Sequence, residues 1–109
     1  TTMSDALWAG LPAVTCVGNT FAGRVGGSLL RAAGLEELVT TRIEYYESLA
    51  IDLATNRGRL DGLRQKLIQG LPAARLFDSR RFTRHLEAAY THMHELQRAG
   101  LPPEMIDIT

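Results

Sequence analysis

Glycine, proline and asparagine interrupt the apolar runs of this chain at intervals, and the interruptions divide it into predictable elements. Thr2 to Ala9 predicts a short helix, with Thr2 and Asp5 at the spacing of a reciprocal capping box and Gly10 as its stop. Pro12–Val17 is a compact β-rich run closed by Gly18, the pattern of a strand covered on both faces. Thr20 can cap a second helix that runs to about Ala33 and stops at Gly34. Glu37-Leu-Val-Thr40 is a second, weaker strand. Thr41-Arg-Ile-Glu44 is another capping box, and it opens a helix whose stripe Ile43, Tyr46, Ala50 and Leu53 predicts one buried face. Asn56-Arg-Gly58 breaks that pattern. Leu60, Leu63 and Leu67 line the next helix, which ends at Gly70-Leu-Pro72. Asp78 or Ser79 starts the last helix, with the stripe Phe82, Leu86, Ala89, Met93 and Leu96 and a stop at Gly100. Pro102-Pro103 bars continuation, and Glu104–Thr109 is expected to be extended or loosely held.

Two short strands, at about 12–17 and 37–40, separated by a helix can lie parallel through a crossover, which gives an α/β reading in a predominantly helical chain. Alone they make a marginal sheet. Further strands are expected from sequence before Thr1, or from a second copy if the segment is made by itself, as a homodimer. The organisation that follows is an α/β segment over 1–40, helices of the same lobe over 41–103, and a tail over 104–109.

Composition narrows the function classes. Twelve basic and twelve acidic residues leave no formal net charge, which disfavours a nucleic-acid-binding domain or a polybasic membrane tether. Cys16 is the lone cysteine and lies in an apolar run, so no intrachain disulfide or multi-cysteine metal site is possible. No apolar stretch has the length of a membrane span, and the start shows neither an initiator Met nor a signal-peptide pattern. These features lead us to expect a cytoplasmic piece of a larger protein.

Candidate chemistry concentrates at the beginning. Unpaired N–H groups and the positive end of the helix dipole make a helix start a site for phosphate. The hydroxyls of Thr1 and Thr2 stand there, with Asp5 one turn on. A carboxylate is a poor partner for phosphate, so Asp5 in such a site faces a sugar's hydroxyl pair. The competing possibility is that Thr2 and Asp5 simply cap the helix. The loop Gly18-Asn-Thr-Phe-Ala-Gly-Arg-Val25 is a second possible phosphate-facing start, where Arg24 can offer a fork to an anion. It is neither a Walker motif nor a dinucleotide fingerprint. Gly23, Gly26 and Gly27 fall on the predicted second helix, and close backbone packing is the simplest reason for them. Trp8 is expected to pack structurally with Leu7 and the strand. His85, His92 and His94 do not share the spacing of a zinc set.

The stretch Thr-Thr-x-x-Asp-x-Leu-Trp-Ala-Gly-x-Pro-x-Val-Thr, with Gly-x-Thr-x-Ala-x-Arg-Val and Ser-x-Leu after it, resembles the protein O-linked N-acetylglucosamine transferases. These form glycosyltransferase family 41, which also includes the Spindly-type protein O-fucosyltransferases. Gly34-Leu-Glu-Glu-Leu38, the Tyr45–Tyr46 helix start, Leu76-Phe-Asp78 and Phe82-Thr-Arg-His-Leu-Glu87 extend the likeness over nearly the whole chain. Met3 departs from it, standing where animal members carry glycine.

The resemblance implies the C-terminal half of a GT-B Rossmann-like lobe. It further implies that Thr1 and Thr2 meet the diphosphate, Asp5 the ribose, and that the loop of Arg24 borders the cleft. The implied parent transfers N-acetylglucosamine from UDP-N-acetylglucosamine to Ser or Thr of proteins with inversion, without a metal or other cofactor. Its implied partners are the UDP-sugar donor, a protein acceptor, an upstream lobe and tetratricopeptide repeats, with no nucleic acid and no membrane. The residues of proton transfer lie outside this chain, so the segment alone is expected to be inactive. Two alternatives are a GDP-fucose-dependent O-fucosyltransferase and a non-catalytic helical interaction module.

Overall fold

Leu7, Leu30, Leu35, Leu38 and Leu67 are the large side chains most completely withdrawn from solvent, and the elements that carry them form one core. In the computed structural model, which describes residues Thr1–Thr109, the chain order is α1 (Thr2–Trp8), β1 (Thr15–Cys16), α2 (Phe21–Ala32), β2 (Val39–Thr40), α3 (Ile43–Thr55), α4 (Arg57–Gly70) and α5 (Ser79–Arg98). Single 3-10 turns occupy Glu36–Leu38, Leu71–Ala73 and Arg75–Phe77. Contacts divide the chain into two units, Thr1–Phe77 and Asp78–Thr109.

In the first unit β1 and β2 pair in parallel, with Thr15 opposite Val39 and Cys16 opposite Thr40. The register is fixed by Val17, whose amide donates to the Thr40 carbonyl at 2.7 Å, and by the Thr40 hydroxyl, which donates to the Thr15 carbonyl at 2.8 Å. The parallel α/β reading therefore stands, but each ladder is two residues rather than four to six. Pro12 has no N–H to give, and Glu36–Leu38 coils into a turn that buries Leu38, so neither flank joins the pairing. α2 is the crossover between the strands, and α2 and α3 both pack on them. Leu53 of α3 and Leu63 and Leu67 of α4 complete the core, and the two helices are separated by Asn56 alone.

Several boundaries differ from expectation for local reasons. Thr1, not Thr2, is the N-cap of α1, and no side chain caps that helix, so the Thr2–Asp5 box does not form. Arg42, not Thr41, precedes α3, and again no side chain caps it. Glu44, the acid of that expected box, lies instead 3.4 Å from the Arg42 guanidinium, which also covers the Tyr45 ring at 5.2 Å. The break before α4 is narrower than Asn56–Gly58: the Asn56 side chain accepts from the Arg59 amide at 3.1 Å and Gly58 is already helical. Of the predicted α3 stripe, Leu53 is buried whereas Ile43, at the solvent end of the helix, is 58% exposed. Thr20 does cap α2, accepting from the Gly23 amide at 3.0 Å, and Gly34 stops it with φ +80°.

In the second unit Asp78 caps α5 by accepting from the Arg81 amide at 2.9 Å. The tail is more closely held than expected. His92 Nε2 lies 3.1 Å from Glu104, and Ile106 joins Met93 and Leu96 around a cavity of about 360 Å³. Phe82, Leu86 and Met93, on the predicted apolar stripe, are exposed.

Candidate donor-site edge

Parallel pairing puts the carboxyl ends of β1 and β2 on one edge of the sheet. The chain leaves β1 through Val17–Thr20 into the amino end of α2, and leaves β2 through Thr41–Arg42 into the amino end of α3. Crevices outside the carboxyl ends of parallel strands are where open α/β sheets bind ligands, because helix amino ends and their amides gather there. The approach of β1 to α2 is tight. Gly18 donates its amide to the Gly23 carbonyl at 3.0 Å, and a Cβ on Gly23 would stand 3.2 Å from the Gly18 Cα. This closes the loop into a compact turn under the first turn of α2.

α1 reaches the same layer through Met3. A Cβ on Gly26 would lie 3.2 Å from Met3 Cε and 2.8 Å from Thr15 Oγ1, and one on Gly27 would lie 2.7 Å from Val17 Cγ2. Close packing is therefore the reason for the helix glycines, as expected. α1 packs on α2 and leads into β1 through the short link 9–14, which leaves its amino end at the opposite end of the helix from that link.

Thr1, Thr2 and Asp5 are all exposed at that amino end. The Thr1 carbonyl accepts from the Asp5 amide at 2.9 Å and from Ser4 Oγ at 2.7 Å, which pins the first turn from within. The Asp5 carboxylate enters no ion pair, and with no capping box it is free to face outward. Arg24 completes the first turn of α2, exposed and outside the chain's ion pairs. Thr1, Thr2 and Asp5 thus stand at the start of α1, which packs on α2, the helix that carries Arg24. Ser4 and Met3 were not singled out as working residues in the sequence, since a serine and a methionine in a first turn carry no distinctive signal.

Trp8 differs from expectation. Leu7 takes the inward direction, and the next residue on a helix points about 100° away, so Trp8 is 64% exposed and meets Phe77 edge-on at 4.8 Å between centroids.

Elsewhere in this unit, burial raises the Glu37 carboxyl, but the Lys66 hydrogen bond and charge, with help from its own amide and Arg59, hold it below its ordinary value. A cavity of about 290 Å³ bordered by Arg31, Lys66 and Arg75 opens at the far end of α2. Arg31 and Lys66 are already engaged by Glu36 and Glu37, and helix carbonyl ends face this region, so it offers little to an anion. No helix is long and apolar enough to cross a membrane.

Comparison with known proteins gives this edge its context. The profile of glycosyl transferase family 41 matches residues 1–86. The chain is 37% identical over 105 residues to the probable UDP-N-acetylglucosamine–peptide N-acetylglucosaminyltransferase SEC of Arabidopsis thaliana, covering 95% of this chain and 11% of that one. It is 41% identical over 93 residues to the probable transferase SPINDLY of Hordeum vulgare, covering 85% and 10%. The UDP-N-acetylglucosamine–peptide N-acetylglucosaminyltransferase of Caenorhabditis elegans is 33% identical over 106 residues, covering 97% and 9%. The chain therefore spans about a tenth of the length of these curated relatives. Among solved structures, a point variant of the Thermobaculum terrenum O-GlcNAc transferase superposes with a TM-score of 0.77 at 43% identity, over 84% of this chain and 18% of that one. The α/β architecture is accordingly the C-terminal half of a GT-B lobe. With its profile matched from Thr1 into the first turns of α5 and its fold shared with a solved member, the chain belongs to glycosyl transferase family 41.

Proposed function

We propose that this chain forms the rear half of the donor-binding lobe in a protein that transfers N-acetylglucosamine from UDP-N-acetylglucosamine to Ser or Thr hydroxyls of other proteins. The observation that carries the reading is the start of α1: exposed Thr1 and Thr2, no side-chain cap, and an unpaired Asp5, within a segment matched by the family profile. The names of relatives that cover 85–97% of this chain supply the donor and the acceptor class.

In this reading the acceptor oxygen forms a bond to the anomeric carbon as the bond to the diphosphate oxygen breaks. The hydroxyl proton passes to a base in another part of the protein, and UDP departs with the bonding electrons. The role of this chain is electrostatic. First-turn amides of α1 with the Thr1 and Thr2 hydroxyls accept the charge growing on the diphosphate, where preorganised donors act without reorganisation. Asp5 receives hydrogen bonds from the ribose, and Arg24 adds a cation at the same edge. Metal independence, a cytoplasmic setting, an upstream lobe and tetratricopeptide repeats belong to the same proposal.

Calorimetry on the full-length protein tests it. Thr2→Val and Asp5→Ala are expected to weaken UDP binding while the protein stays folded, and unchanged affinity in both variants removes the roles assigned here. A preference for GDP over UDP would instead favour a fucosyl donor. Absence of binding by either nucleotide would favour an interaction module.

A further inference from the structure

We infer that residues 101–109 form a strap that opens and closes over the carboxyl end of α5 while the rest of the protein stays folded. Gly100 is its hinge: a φ of +69° reverses the chain there, and the Leu101 amide donates to the Leu96 carbonyl at 2.9 Å to hold the reversal. Pro102 and Pro103 form a stem, and their fixed φ keeps the returning chain to a narrow path. Glu104 then reaches His92, with 3.1 Å between a carboxylate oxygen and Nε2. Beyond it Ile106 and Ile108 are half-buried while Met105 and Asp107 are exposed, the alternation of an extended segment with one face turned inward.

The attachments of this segment are slight. Leu101 is the last residue whose backbone enters a hydrogen bond with other backbone, so residues 102–109 are joined to α5 by no ladder and no helical turn. The side chains of His92 and Glu104 are both more than a third exposed, and a pair in that position contributes little. Apolar contact is incomplete as well: Met93, Leu96, Leu101, Pro103 and Ile106 border a cavity of about 360 Å³ instead of filling it. A segment with few buried contacts and no backbone hydrogen bonds opens locally at low cost, apart from global unfolding.

Closing is favoured by the stem. Consecutive prolines restrict the open chain, so returning to α5 costs less conformational entropy than it would for an unrestricted tail. Opening changes what α5 presents. Phe82 and Leu86 are exposed in either state, and Met93 and Leu96 continue their stripe at helical spacing. The closed strap shelters Leu96 and part of Met93, whereas the open one leaves the stripe bare as far as Leu96. None of this depends on where the donor binds.

Thiol labelling of the full-length protein tests the strap, with Met105→Cys and Ile108→Cys as separate variants and the labelled peptide read by mass spectrometry. Each rate is taken relative to the same variant in denaturant. Met105→Cys is expected to label at nearly its unfolded rate and Ile108→Cys about threefold or more slowly, since a half-buried side chain reacts on opening. Low urea, well short of global unfolding, should leave the Ile108→Cys rate nearly flat, because local opening exposes little surface. Adding His92→Ala and Ile106→Ser removes the clasp and one anchor, and Ile108→Cys should then label within about twofold of Met105→Cys. Proteinase K trimming of the tail in protein without either cysteine checks that the label does not itself release the strap; His92→Ala with Ile106→Ser is expected to speed trimming about threefold or more. Equal labelling at the two positions, with trimming no faster in the double variant, shows that no strap closes. Protection of Ile108→Cys that survives both substitutions shows that the tail is held by other means. A rate that climbs with urea as steeply as global unfolding shows that the tail does not open alone. Any of these three results overturns the inference.

Discussion

Lys66 of α4 donates a 2.5 Å hydrogen bond to Glu37 in the turn that leads into β2, joining a helix to the strand whose far end opens on the candidate site. Burial opposes ionisation of Glu37, but the ammonium outweighs it, and its carboxyl is held below the 4.5 of a free group. A carboxyl that titrates lower in the folded chain contributes stability above its unfolded value and loses it as pH falls through the folded one. Lys66→Met should therefore destabilise the chain at neutral pH, and the difference from the parent should vanish well below pH 4.5. Both side chains are more than a third exposed, so the effect is expected to be under about 1 kcal/mol. Urea unfolding of the two proteins at neutral and acid pH measures it; a difference that persists at low pH contradicts the assignment.

Helix caps give a second contrast. Asn56 caps α4 and Asp78 caps α5 through real hydrogen bonds, so alanine at either should cost about 1 kcal/mol. Thr41 sits outside the cap of α3, and Thr41→Ala should change stability by no more than about 0.5 kcal/mol. Chemical denaturation of the three variants checks the ranking, and a large loss at Thr41 would restore the capping box.

Core truncation should be costly. Leu30 has no exposure and belongs to the core cluster with Leu7, Leu35, Leu38 and Leu67. Leu30→Ala is expected to cost about 2–5 kcal/mol, measured as a shift of the unfolding midpoint at constant slope.

The proposed division of labour at α1 can be read with two ligands. Asp5→Ala should weaken UDP by roughly tenfold or more, the worth of a hydrogen bond to a charged group, yet leave pyrophosphate binding unaltered. Thr2→Val should weaken both. Competition assays on the full-length protein would expose a wrong assignment if Asp5→Ala affected pyrophosphate equally.

Helix stops and the parallel order of the strands were legible because they depend on backbone chemistry. Gly10, Gly34 and Gly100 adopt positive φ at the ends of α1, α2 and α5, a conformation other residues rarely take. Which face a helix buries was less legible. The spacing of Ile43 with Leu53 marks one side of α3, but exposure falls along that side from Ile43 through the half-buried Tyr46 and Ala50 to the buried Leu53, and periodicity does not encode where a neighbour ends. Capping boxes misled for a related reason: Glu44 had a nearer cation in Arg42, and Thr1 rather than Thr2 took the position before α1. At the candidate site, Thr1, Thr2, Asp5 and Arg24 were visible as chemistry. The close approach of the Thr15 and Met3 side chains to Gly26 was not, because it depends on distances across the fold and on the lack of a side chain.

The fully buried large residues, Leu7, Leu30, Leu35, Leu38 and Leu67, are all of one kind. An interior built from a single interchangeable shape excludes water well but says little about alignment, since one leucine can replace another after a slip along the helix. Alignment must then be written elsewhere in the polypeptide. Here it is written in the vacancies at Gly26 and Gly27, so drift at those two sites would blur the molecule's geometry long before it dissolved its oily centre.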